Sequence, residues 1–130
     1  MLADHLRLRI ACVRIGGMAV ATLPLPSLLD EIEASFGLSK TELGRLFGVS
    51  RQAVDQWRVR GVPGDRQEKA ATIAATADLL SHQLKAERLP GIARRPARAY
   101  GGLTMLEMIE RDRHRDLLER VRAAFDWASA

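Results

Sequence analysis

The chain has 130 residues, enough for one modest core or for two very small helical units sharing a long helix. Hydrophobic residues at 47% and charged residues at 28% are ordinary globular proportions, which excludes wholesale disorder. Lys+Arg 20 against Asp+Glu 16 leaves a net charge of +4, too mild an excess to choose between nucleic acid, anionic membranes and acidic proteins, so the location of the charge has to decide.

Leu, Ala, Arg and Glu are abundant and runs of β-branched or aromatic residues are missing, so the expected class is all-α. Cys12 is the sole cysteine, which rules out an internal disulfide and suits a reducing cytoplasm. The segment from Ile10 to Leu29 is apolar and follows Arg7 and Arg9, but Arg14, Pro24 and Pro26 argue against a secretory core or a membrane span. Met18 offers a second candidate start, and residues 1–26 are expected to be a poorly ordered extension without function.

Pro26-Ser27 should open the first helix, with Ser27 as N-cap, Leu28, Leu29, Ile32 and Phe36 on one face, and Gly37 as the stop. Ser39 and Glu42 form a capping box for a second helix ending at Phe47-Gly48. Ser50 caps a third, from Arg51 to about Val59, before Gly61-Val62-Pro63-Gly64 breaks the chain. A long helix is predicted over about residues 66–88. Its stripe of Ala70, Ile73, Ala77, Leu80 and Leu84 either packs on the first three helices or forms a dimer seam. Leu89-Pro90-Gly91 should end it, and the stretch from Ile92 to Tyr100, with Arg94, Arg95, Pro96 and Arg98, reads as an extended, solvated connector. Thr104 and Glu107 repeat the capping box for a short helix to about Glu110. A last helix over about 114–128 carries Leu117, Leu118, Val121 and Phe125 on one face. The expected architecture is a helix-turn-helix bundle over residues 27–89, with the long connecting helix, and a small helical module over 90–130.

The most informative segment runs from Ser39 to Arg60. Two short helices meeting at a steep angle need a very small residue at their crossing and a positive φ in their turn, which Gly44 and Gly48 supply. Leu43, Phe47, Val49, Val54 and Trp57 are apolar where a shared core is required, and what remains outward on the third helix is polar. In a DNA major groove, Arg pairs bidentately with guanine and Gln with adenine, so Arg51 and Gln52 are the first candidates for base edges. Ala53 is small enough to meet a thymine methyl, and Gln56 reaches a base or a phosphate. Ser50 suits a phosphate at the helix start, and Lys40, Thr41, Arg58 and Arg60 suit backbone positioning. Asp55 either accepts from cytosine or orients Arg51 or Arg58. The helix before carries Asp30, Glu31 and Glu33, so charge is polarised along the chain.

With these residues in view, Phe36 to Gly61 resembles the Xre-type helix-turn-helix of phage and plasmid repressors. The stretch from Tyr100 through Gly101-Gly102 to Ile109, followed by a terminal helix, resembles the toxin-binding domain of the Xre/MbcA/ParS antitoxins. That resemblance implies a type II toxin–antitoxin role: a homodimeric, cytoplasmic repressor of its own operon that also blocks a toxin, often a RES-domain enzyme consuming NAD. Tyr100, Gly101, Gly102, Leu106, Glu107 and Ile109 match the family's partner-binding pattern, and Trp127 is a candidate partner anchor. The chain departs from the family at Thr104-Met105, where a proline is common, and at its end, where a glycine is usual.

Nothing in the sequence points to catalysis, a metal or a cofactor. His5, His82 and His114 are far apart, with no paired-ligand spacing, and no phosphate-cradling glycine loop occurs. The readings that remain are an antitoxin with a protein partner, a free-standing Xre-like regulator of phage descent, and an adaptor that has lost double-stranded DNA as a ligand.

Overall fold

The computed structural model describes residues 25–129, with side chains from 28 to 126, so the expectations for residues 1–24 lie outside the described residues. The protein is all-α: α1 (Leu25–Phe36), α2 (Lys40–Phe47), α3 (Arg51–Arg60), α4 (Gly64–Gln83), α5 (Leu89–Ala93), α6 (Met105–Glu110) and α7 (His114–Ser129), with a 3-10 helix at Arg98–Tyr100. No strand occurs among the described residues.

Local chemistry accounts for most of these boundaries. Glu42 N–H donates to Ser39 Oγ at 3.1 Å and Ser39 N–H donates to Glu42 Oε1 at 3.0 Å, so the capping box satisfies two orphan donors of α2. Thr104 and Glu107 do the same for α6, at 3.0 and 2.9 Å. The start of α1 differs from expectation: it begins at Leu25, two residues before Ser27, because a proline in the first helical turn forfeits no hydrogen bond.

The middle of the chain differs more. The long helix stops at Gln83, where Leu84 turns extended (φ −121°, ψ 154°). Leu89-Pro90-Gly91, read as a breaker, instead opens α5, again with proline in the first turn, and Leu89 and Ala93 are buried. The supposed extended connector is therefore the end of α5, then a closed loop in which Gly102 N–H donates to Ala97 O at 2.9 Å and Ala97 N–H donates to Leu103 O at 3.2 Å.

α4 is the spine. It packs on α1 and on α7, while α6 packs against α2 and α7. Its stripe of Ala70, Ile73, Ala77 and Leu80 is buried within this chain, so it is not free to serve as a dimer seam. One continuous core joins Phe36 of α1, Leu43 of α2, Val54 of α3, Ile73 of α4, Met108 of α6 and Leu117 of α7. The boundary drawn at residues 89/90 thus falls inside shared packing.

Ion pairs tie the carboxy-terminal helices to this frame. Lys69 is buried along its stem, 5.6 Å over the Phe47 ring, and its Nζ donates to Asp112 Oδ1 at 2.7 Å. Glu68 accepts from Arg115 Nε at 2.6 Å and lies 3.3 Å from His114 Nε2. The Arg115 hydrogen bond, helped by His114, lowers the Glu68 carboxyl to about 2. Its folded form is therefore the better acid, so this pair stabilises the fold above the ordinary carboxylate range and is lost as pH falls from there towards 2. The melting temperature should drop over that window, and Glu68→Gln should flatten part of the drop, since Asp112 and Asp116 are held low by their own cations. An unchanged pH profile in that variant, followed by circular dichroism, would show the pair contributes nothing.

Candidate nucleic-acid interface

The α2–α3 unit is built around one close approach. A Cβ on Gly44 would lie 2.7 Å from Val49 O and 3.3 Å from the Ser50 carbonyl, all backbone atoms with no room to retreat. Gly48 makes the turn at φ 68°, and Val49 N–H donates to Gly44 O at 2.9 Å. Phe47 and Trp57 then meet edge to face, 5.3 Å apart at 83°, locking the two helices from inside. Ser50 Oγ accepts from Ala53 N–H at 3.1 Å and starts α3; its hydroxyl hydrogen remains a donor.

With Val54 and Trp57 turned inward, the opposite side of α3 is open. Arg51, Gln52, Gln56 and Arg60 are exposed, and Ala53 and Asp55 are half-buried. None of α6 and α7's principal packing is against α3, so the carboxy-terminal half leaves this face uncovered. Val59 joins it at 85% exposed, and it is the only large hydrophobic residue so exposed among the described residues. At roughly 100° per residue, Gln52, Gln56 and Val59 stand in one line along the helix. Val59 was missed because the helix was expected to end there; Gly61 N–H donating to Trp57 O at 2.8 Å carries it to Arg60. The spacing of four and then three was the available signal.

Lys40 and Thr41 are exposed at the start of α2. Lys40 Nζ lies 3.8 Å from Asp55 Oδ1, so Asp55 pairs across to α2 rather than with Arg51 or Arg58. Arg51, Arg60 and Arg45 make no ion pair among the described residues, and their guanidinium groups are free to meet an anion.

Arg58 does not belong with them. Its guanidinium is paired with Asp30 and Glu33 of α1 and only 22% of the side chain is exposed. Two of the three acidic residues that looked like one pole of a charge gradient, Asp30 and Glu33, are its partners, and these ion pairs strap α3 to α1. Arg58→Met should lower stability by about 1 kcal/mol, as a partly exposed ion pair does, and leave the salt dependence of any DNA binding unchanged. A shallower salt dependence in that variant would return Arg58 to the phosphate-contacting set.

The residues matched to a partner-binding pattern do not come together on the surface. Leu106 and Ile109 are core residues, because α6 is held between α2 and α7. Glu107 caps Thr104. Gly101 and Gly102 are exposed in left-handed conformations (φ 66° and 84°), and Tyr100 is half-buried, its hydroxyl pushed up by burial. Trp127 lies in the last turns of α7, and its side chain is outside the described residues.

A cleft of about 420 Å³ opens behind the turn, lined by Phe47, Gly48, Arg66, Lys69, Glu110 and His114 among others. Its cations are already engaged: Lys69 by Asp112 and Arg66 by Phe47 O. Among the described residues no cluster of three or more His, Cys, Asp or Glu is placed to hold a metal ion, and no helix is long and apolar enough to cross a membrane. No protein-family model, curated protein or solved structure matches this chain.

Proposed function

We propose that the protein is a sequence-specific, duplex-DNA-binding transcriptional repressor that inserts α3 into the major groove. The observation that carries this reading is the open polar face of α3 on a tightly constrained α2–α3 frame, with Gln52 and Gln56 exposed and Val59 in line with them. Gln52 and Gln56 each suit adenine N6 and N7, Arg51 suits guanine O6 and N7, and Val59 and Ala53 suit thymine methyl groups. Lys40, Thr41, Arg60 and the Ser50 hydroxyl suit phosphates on either side, which set register without reading sequence. Asp55, facing Lys40, keeps that lysine near the start of α3.

The proposal includes a homodimer on half-sites one helical turn apart, joined by a surface other than the α4 stripe. An autoregulatory antitoxin facing a RES-type toxin is the setting that the resemblance of residues 100–109 suggests. The burial of Leu106 and Ile109 favours the second reading, a free-standing regulator in which α6 and α7 brace the helix-turn-helix. Co-expression with the product of an adjacent gene, lethal when expressed alone, separates the two.

Fluorescence-anisotropy titration with a labelled random-sequence duplex tests the ligand class. Binding should be visible at roughly 10⁻⁴ to 10⁻⁶ M near physiological salt and should weaken steeply between 50 and 200 mM, as phosphate contacts release counterions. No binding at low salt, or a flat salt response, would overturn the proposal.

A further inference from the structure

Between Glu87 and Glu107 the chain carries four arginines and no acidic residue. One of them is pinned. Arg94 donates from Nη1 to Phe36 O at 2.7 Å, and from Nη2 to Gly37 O at 2.9 Å and to Glu42 Oε2 at 3.2 Å. Pro90 sits so close beneath that a Cβ on Gly37 would lie 3.1 Å from it. The segment after α5 is thereby fastened to the α1–α2 turn, the stretch of chain that continues into Ser39, Lys40 and Thr41. At its far end, Ala97 N–H donates to Leu103 O, and Leu103 leads into α6, which packs on α2.

Arg95 and Arg98 lie within this fastened segment, both exposed, and neither side chain makes a hydrogen bond or ion pair among the described residues. Arg58, Arg94, Arg113, Arg115 and Arg120 have carboxylate partners, whereas Arg95 and Arg98, like Arg45, Arg51 and Arg60 of the helix-turn-helix, have none among the described residues. Two unpartnered guanidinium groups thus extend from a loop whose first residue is fastened to the turn before α2, and together they offer positive charge to a polyanion.

We propose that Arg95 and Arg98 are a second phosphate-binding element that grips the backbone of the same duplex, in addition to the phosphate contacts of the helix-turn-helix. This rests on the reading of α3 given above. Arg94 is its positioning residue: it makes no contact with DNA and fixes where the other two stand. The element adds affinity and salt dependence and carries no sequence preference.

The test is the salt dependence of duplex binding by the full chain and three double variants, with folding checked by thermal melting. Arg95→Ala with Arg98→Ala should make the slope of log affinity against log salt shallower by about 2, at about 0.9 per lost phosphate contact. Wild type should accordingly lose about tenfold more affinity than this variant between 50 and 200 mM salt. Arg95→Lys with Arg98→Lys should restore most of the slope. Lys85→Ala with Arg122→Ala, which removes two exposed cations outside the segment, should keep the wild-type slope. A wild-type slope in the Arg95/Arg98 alanine variant overturns the inference, and so does an equal loss in the Lys85/Arg122 variant, which would reduce the effect to net charge. Absence of duplex binding by the wild-type chain would instead overturn the reading of α3 itself.

Discussion

Replacing Gln52 and Gln56 together by alanine is expected to abolish most discrimination between the protein's preferred duplex and a scrambled one. Each side chain can close two hydrogen bonds on one adenine edge, and such a pair contributes about 1–3 kcal/mol of discrimination. Two of them lost together amount to about 2–6 kcal/mol, a factor of roughly thirty to tens of thousands in the ratio of affinities. Affinity for the scrambled duplex should change little, because Lys40, Arg60 and the other candidate phosphate contacts are untouched. Both glutamines are exposed, so the melting temperature should stay within a few degrees of wild type. Competition titrations against the two duplexes give the ratio directly. A ratio unchanged from wild type would mean that α3 does not read bases with these residues.

The second large effect is structural, and its sign is diagnostic. Within an ordinary helix, Gly→Ala gains about 1 kcal/mol of helix propensity. Gly44→Ala should do the opposite. Its Cβ would sit 2.7 Å from Val49 O, and accommodating it means prising α2 away from the turn. Overpacking of this kind costs about 1–3 kcal/mol, which for a chain of this size lowers the melting temperature by roughly 5–15 °C. Gly48→Ala provides the contrast: its Cβ would meet nothing within 4 Å, but its φ of 68° imposes a smaller penalty of about 1 kcal/mol. DNA binding should fall with stability in the first variant more than in the second, because the first displaces the base of α3. A Gly44→Ala protein as stable as wild type would contradict the close helix approach on which the interface is built.

How much of this was legible in the sequence follows from the range of the interactions involved. The caps at Ser39/Glu42 and Thr104/Glu107, the crossing at Gly44 and the turn at Gly48 are set within a few residues, and a linear reading finds them. Arg58 is different: its partners stand 25 and 28 positions earlier, so nothing local separates it from its neighbours Arg51 and Arg60. α5 was hidden because Pro90 ends a helix when read from one side and begins one when read from the other. The burial of Leu106 and Ile109 depends on α6 meeting α2, some sixty positions away in the chain, a tertiary contact that periodicity does not encode. The same contact merges two expected units into one core. Val59 lay within reach of a pattern argument and was lost to a boundary drawn one residue short.

The outward line of α3 can be questioned most directly by a binding selection with the 130-residue chain on a pool of random duplexes at moderate salt. Enrichment of one short motif containing A·T pairs is expected, with a preference that collapses when the selection is repeated with the Gln52/Gln56 alanine protein. A pool that remains random after successive rounds, or the same motif recovered with both proteins, would contradict it.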